Sequence, residues 1–206
     1  MFTVRIAHYP APGKATEMRA ALEEHSKAMN AAGSPHNLTQ LLYASEPTFV
    51  NSIRHESLAA LEAYGPAHAN DDAYRARTAK FLALDVRPTN SELYENLVAT
   101  PVTGEINYTL RSTYEPALGK VAELRQALEK IVNTPTAGAV MKSLSAQVAP
   151  PDGVNFTVSV LFSSLAGLEE YRNAARTDPN RGVVANLVAR HARNALYRQL
   201  LRFNET

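Results

Sequence analysis

The chain writes one pattern twice. Residues 2–23 set against 108–129, a shift of 106 without a gap, are identical at eleven of twenty-two positions. These are Thr3/Thr109, Arg5/Arg111, Pro10/Pro116, Ala11/Ala117, Gly13/Gly119, Lys14/Lys120, Glu17/Glu123, Arg19/Arg125, Ala21/Ala127, Leu22/Leu128 and Glu23/Glu129. A second register, SLAALEAY at 57–64 against SLAGLEEY at 164–171, matches at six of eight positions. A chain of 206 residues that repeats itself halfway is expected to form two copies of one unit of about 100 residues, long enough for its own core.

Composition excludes several classes. Hydrophobic residues at 45% with 20% charged describe a globular chain and not a disordered one. No apolar run approaches the roughly 18 residues that a spanning helix needs, so no membrane association is expected. The opening residues, MFTVRIAHY, read as a first strand and not as a secretory leader, which makes the cytoplasm the expected compartment. The absence of cysteine removes disulfides, thiolate ligands and a cysteine nucleophile. The net charge of +1 is uneven: residues 1–100 hold 9 basic and 11 acidic side chains, residues 101–206 hold 12 and 9. Arg172, Arg176, Arg181, Arg190, Arg193, Arg198 and Arg202 face only Asp178 in their interval. They are dispersed and lack an aromatic stacking motif, so they read as a solvated face whose stems cover apolar surface, and no nucleic acid is expected.

Each half reads strand, helix, strand, strand, helix, strand. In the first, residues 2–9 alternate at period 2, Pro10 to Gly13 breaks the strand, and a helix follows with Ala15, Met18 and Leu22 on one face. Strands are expected at 38–44 and 49–55 around a turn at 45–47. Ser57 suits the N-cap of a helix carrying Leu58, Leu61 and Tyr64, which Gly65-Pro66 is expected to interrupt. Asp71 or Asp72 would cap a further piece to about Leu84, and residues 90–98 supply a fourth strand. The second half predicts strand 107–114, helix 118–132, strands 139–147 and 154–163, helices 164–176 and 179–193, and strand 195–203. Pro150-Pro151-Asp152-Gly153 lengthens its hairpin, and Asp178-Pro179 is a strong helix start. Residues 99–104 read as a linker too short to let the units drift apart.

Two such βαββαβ units are ferredoxin-like. The strand followed by Pro-x-x-Gly-Lys (Pro10 to Lys14, Pro116 to Lys120) and the third strand running into Ser-Leu-x-x-Leu-Glu-x-Tyr resemble a tandem member of the dimeric α/β-barrel superfamily, which includes antibiotic-biosynthesis-monooxygenase-like and stress-responsive barrel proteins. The resemblance implies an α+β chain, with units at 1–100 and 105–206 packing sheet to sheet as an intrachain barrel. It also implies a small-molecule-binding protein of the cofactor-independent monooxygenase type, acting on an aromatic or phenolic compound. The alternative is a noncatalytic stress-associated or structural barrel. Because a fused pair completes one barrel, either a monomer or a homodimer is expected.

Alternation sorts the strand residues by face. Phe2, Val4, Ile6, Phe49 and Ile53, with Tyr108, Leu110, Phe156 and Val160, are expected against helices. Thr3, Arg5, Val50, Ser52 and Arg54, with Thr109, Arg111, Thr157, Ser159 and Leu161, are expected to look into the barrel, as are Tyr43, Ser145, Tyr94 and Tyr197. The candidate ligand-binding set is therefore Arg5, Arg54, Arg111, Tyr43, Tyr94 and Tyr197. A buried guanidinium needs acceptors, so the arginines either fork onto an anionic or phenolic ligand or bond across the sheets. No catalytic residue is singled out.

The six histidines, His8, His25, His36, His55, His68 and His191, show no i, i+4 pair at metal-ligand spacing, and no metal is expected. His68 reads as a loop-surface residue, and His191 is the position to compare with the haem ligand of chlorite-dismutase-type relatives. Haem-degrading relatives use a tryptophan that this chain lacks; His55 stands near its expected place. No cofactor is expected.

Overall fold

The computed structural model describes residues 1–148, 154–190 and 193–203. The first repeat forms β1 (Phe2–His8), α1 (Ala15–Ala31), β2 (His36–Leu41), β3 (Phe49–His55), α2 (Leu58–Ala69), α3 (Asp72–Leu82) and β4 (Asn90–Ala99). The second forms β5 (Tyr108–Tyr114), α4 (Val121–Asn133), β6 (Met141–Gln147), β7 (Phe156–Phe162), α5 (Leu165–Arg176), α6 (Pro179–Ala185) and β8 (Arg193–Leu201). The hydrogen-bonded strand order is β1-β3-β2-β8-β5-β7-β6-β4, closed as a barrel, so each repeat contributes the order 4-1-3-2 of a ferredoxin-like unit. Two compact units are present: Met1–Leu93 with Gln199–Thr206, and Tyr94–Arg198.

The repeated residues recur as repeated contacts. Gly13 and Gly119 take φ of 78° and 75°, a conformation that glycine enters without steric cost, and this turns each first strand into its helix. Lys14 pairs with Glu17 and Lys120 with Glu123 at 2.7 Å; Arg19 pairs with Glu23 at 2.7 Å and Arg125 with Glu129 at 2.8 Å. Each exposed pair contributes only about 0.2–0.5 kcal/mol. Ser57 Oγ accepts from the Ala60 amide and Ser164 Oγ from the Gly167 amide, both at 3.1 Å, which satisfies a donor at each helix start. Asp71 caps α3 and Asp178 caps α6 in the same way.

In the second unit, Leu124, Leu128, Ile131, Val132, Leu144, Phe156, Val158, Val160 and Phe162 are buried together between helices and sheet. The equivalent apolar cluster of the first unit is smaller: Met18, Ala21, Leu22, Leu38, Phe49 and Phe81. The expected face assignment holds for Phe49, Phe156 and Val160, which lie in these cores.

Four expectations change. Strand β2 begins at His36 and stops at Leu41, so Tyr43 lies in the following bend, at φ 58° and 86% exposed. It does not point inward, because the ladder with β3 ends before it. Helix α2 runs through Gly65-Pro66 to Ala69; Pro66 deprives it of one amide donor without ending it. His68 is consequently helical and half-buried. Helix α6 stops at Ala185 and not at 193, because the Leu187 carbonyl accepts from Ala117 and the Ala189 amide donates to Glu115, which takes these residues out of helical bonding. The hairpin residues 150–153 and His191 lie outside the described residues.

One buried charge closes the second unit. Lys142 in β6 is 3% exposed, and its Nζ donates to the Ile131 carbonyl (2.5 Å), the Thr134 carbonyl and Thr136 Oγ1 (3.1 Å). It caps the C-terminal end of α4, where carbonyls lack helical partners. Lys142→Met should cost roughly 2–4 kcal/mol by stranding those carbonyls, read as a lower urea midpoint. An unchanged midpoint would show that the lysine does not hold this helix end.

Candidate functional site: a histidine and tyrosine cluster in the first unit

Five histidines spread through 61 positions of sequence converge on the helix-facing side of the first sheet. Helix α1 carries His25 on the stripe of Met18, Leu22 and Met29, all buried. In β2, His36 precedes Leu38 on the same face, and in β3 Asn51 and His55 share the face of Phe49 and Ile53. Tyr64 and His68 come from α2, and Tyr74 and Phe81 from α3.

The rings meet mostly edge to face, as aromatic quadrupoles prefer. His25 lies 5.5 Å from His36, 5.3 Å from Tyr74 and 5.2 Å from Phe81, centroid to centroid. Tyr64 lies 5.2 Å from His55 and 4.6 Å from His68, and His68 stacks on Tyr74 at 4.6 Å. Asn51 Nδ2 is 3.2 Å from His36 Nδ1, and His36 Nε2 is 3.2 Å from the Tyr64 hydroxyl. At one side His8 packs edge-on to Phe81 at 5.1 Å and places Nδ1 3.0 Å from Asp85 Oδ2.

Burial keeps His8, His25, His36 and His55 neutral. It lowers His36 to about 3, with the neighbouring histidines adding to the effect, and lowers His25 to about 4, with Arg77 adding to it. His55 and His8 are also lowered by burial; at His8, Asp85 opposes the shift. Burial also pushes the Tyr64 hydroxyl up. Several polar atoms in this layer have no hydrogen-bond partner in the protein: His25 Nδ1, Ser26 Oγ, Asn51 Oδ1, His55 Nε2 and Thr78 Oγ1. The layer is therefore aromatic, with buried polar atoms that the protein leaves unpaired. Among the described residues, no group of three or more histidine, aspartate or glutamate side chains is arranged to hold a metal ion.

The second unit shows what this layer becomes without such groups. The strand registers align Phe2 and His55 with Tyr108 and Phe162, and His36 and Ile53 with Lys142 and Val160. His8, His25, Ser26, His36, Asn51, His55 and His68 thus correspond to Tyr114, Ile131, Val132, Lys142, Val158, Phe162 and Ala175. Most of these are core residues of the second unit. The sequence carried this signal in the contrast between its halves.

The residues expected to bind a ligand lie elsewhere. Arg5 and Arg54 stand opposite Ser52 and Thr3 in the β1–β3 ladder, on the face away from the helices. Arg111 stands opposite Ser159 and Ala195, with its guanidinium carbon 4.4 Å above the Tyr197 ring. Tyr94 is buried in β4 opposite Gln147. Tyr43 joins none of them.

No family model and no curated relative matches the chain. Solved structures do. The chain is similar to a candidate monooxygenase from Fusobacterium nucleatum, with TM-score 0.81, 12% identity, and 99% of this chain and 94% of that one covered. It is similar to an anthrone oxidase-like protein, with TM-score 0.64, 16% identity and coverage of 99% and 94%. It is also similar to a ferredoxin-fold protein related to antibiotic biosynthesis monooxygenases from Listeria monocytogenes, with TM-score 0.54, 10% identity and coverage of 98% and 95%. Strand order, tandem repeat and these likenesses agree: the chain has a tandem ferredoxin-like α/β-barrel fold.

Proposed function

We propose that the protein binds a planar phenolic compound in the histidine and tyrosine layer of its first unit and acts on it as a cofactor-independent oxygenase. The observation that supports this reading is the set of buried, unpartnered acceptor and hydroxyl atoms on His25, Ser26, Asn51 and His55. A core that needs only to be stable would not leave them so, since each costs roughly 1–3 kcal/mol. Phenolic hydroxyls would satisfy the acceptors, and the tyrosine and histidine rings suit a flat ligand.

The chemistry needs little else from the protein. A neutral imidazole takes a proton from an acidic phenol or from the methylene of an anthrone-type substrate, and the resulting anion is electron-rich enough to reduce dioxygen itself. Oxygenation of a methylene then consumes one O2, forms one C=O and releases one water. Exclusion of water and correct orientation are what the site adds. The anthrone oxidase-like neighbour lends this reaction class its plausibility.

The expected partner is thus a small molecule and not a nucleic acid or membrane. Among the described residues, no helix is long and apolar enough to cross a membrane. A cytoplasmic monomer or homodimer fits this reading. A second reading, a noncatalytic barrel whose strand arginines brace its sheets, is favoured by the Arg111–Tyr197 stack.

Thermal-shift titration with dithranol and simple quinols separates the two. At about a hundredfold excess over Kd, a ligand stabilises by about 2.7 kcal/mol. The shift should vanish in His25→Ile and survive Arg5→Ala and Arg111→Ala. The opposite pattern would move the site to the arginine face, and no shift with any probe would favour the noncatalytic reading.

A further inference from the structure

We propose that the first unit holds two neutral histidines in opposite tautomers, His8 with its proton on Nδ1 as the site's proton acceptor and His36 with its proton on Nε2 as a donor. The inference rests on the proposed site and assigns acid and base within it.

The two rings have opposite partners. His8 Nδ1 lies 3.0 Å from a carboxylate oxygen that only accepts, so Nδ1 carries the proton and Nε2 keeps its lone pair. Asp85 is itself fixed, because its other oxygen accepts from the Tyr9 amide at 2.5 Å. Both side chains are at least 95% buried. At His36 the amide nitrogen of Asn51 can only donate, so Nδ1 is the acceptor and Nε2–H points at the Tyr64 oxygen. The Tyr64 hydroxyl accepts from His36 and also bonds with Tyr74 and Ser34. His25 and Phe81 stand between the two rings, in edge contact along the row.

The proton balance follows. A phenol O–H bond breaks, an Nε2–H bond forms on His8, and the products are phenolate and imidazolium, with Asp85 offsetting the new positive charge. Asp85 is a positioning residue acting through His8. The second unit has lost the arrangement, since the positions of His8 and Asp85 hold Tyr114 and Val188, marked by the equivalent bridges Pro10 to Asp85 and Pro116 to Val188.

Long-range 15N–1H NMR of the histidine rings of the whole protein at pH 7.5 reads both tautomers directly. His8 should be protonated at Nδ1 and His36 at Nε2. Asn51→Asp should move the His36 proton to Nδ1, and Asp85→Asn should take His8 out of its single tautomer. Finding both rings in one tautomer, or His8 doubly protonated, overturns the proposal without any ligand. Spectrophotometric titration with 4-nitrophenol adds a functional reading. Wild type should hold it as the yellow phenolate below its solution titration range, while His8→Gln should bind it as the colourless phenol. Binding without deprotonation in wild type overturns the assignment of base and leaves the binding site standing; lack of any binding counts against the site itself, and the tautomers still decide the proposal.

Discussion

Replacing His25, Ser26 and His55 by isoleucine, valine and phenylalanine, the residues that occupy those positions in the second unit, should stabilise the protein and abolish binding. Each of the three carries a buried polar atom without a partner in the protein, and none of these atoms' residues forms the Asn51–His36–Tyr64 relay. Removing a stranded polar group from an apolar layer recovers its desolvation cost, here about 1 kcal/mol per site and roughly 3 kcal/mol in all. For a chain of this size that is roughly 6–12 °C in Tm. The same substitutions remove the acceptors offered to a phenol, so the stabilisation by dithranol should disappear. This is the trade of stability against function expected where a site is built into a core. Differential scanning fluorimetry of the triple variant, with and without ligand, is the measurement. A variant that melts lower than wild type would mean the layer is already closely packed and needs its histidines, and would remove the main support for a site there.

Acid should destabilise the protein earlier than its carboxylates alone would. The folded state holds His25 at about 4 and His36 at about 3, and lowers His8 and His55 as well, whereas an unfolded histidine titrates near 6.5. The unfolded chain therefore takes up protons first as pH falls. Their contribution is complete above about pH 6.5 and is lost progressively toward pH 3–4, where the folded rings also protonate. Between pH 7.5 and 5, His25 and His36 together should remove on the order of 4 kcal/mol of unfolding free energy. Urea denaturation at the two pH values tests this. The difference should fall by about 2 kcal/mol in His25→Ile, and an undiminished difference in that variant would show that His25 is not the neutral buried ring described here.

Much of the site was legible in residue positions, although not in spacing along the chain. His25 falls on the helical stripe of Met18, Leu22 and Met29, and His55 falls on the strand face of Phe49 and Ile53. Both therefore had to be buried if the helix and strand were correctly read. Reading the histidines by sequence separation misses this, because the groups come from α1, β2, β3 and α2 and meet only when the sheet is covered. His68 shows the same limit from another direction. Gly65-Pro66 suggested a break, but helix α2 continues, and one further turn carries His68 onto Tyr74. Tyr43 illustrates the sensitivity of strand ends: ending β2 at Leu41 turned an expected interior ring into an exposed one.

By itself the sequence determined the repeat, the βαββαβ order of each half and the capped turns that start the helices. These follow from short-range rules: a glycine at positive φ, a serine or aspartate accepting from an amide, and periods of 2 and 3.6. Only the tertiary structure decided what the contrast between the two copies amounts to, one closed over leucine, valine and phenylalanine with Lys142 tying down its helix end, the other gathering its histidines and tyrosines into one buried layer. The physical reason is that burial, and not residue type, sets what a histidine does. The same imidazole gains and loses its proton near neutrality in water, and is held as a neutral donor or acceptor once a helix shields it and a carboxylate or an amide chooses its tautomer.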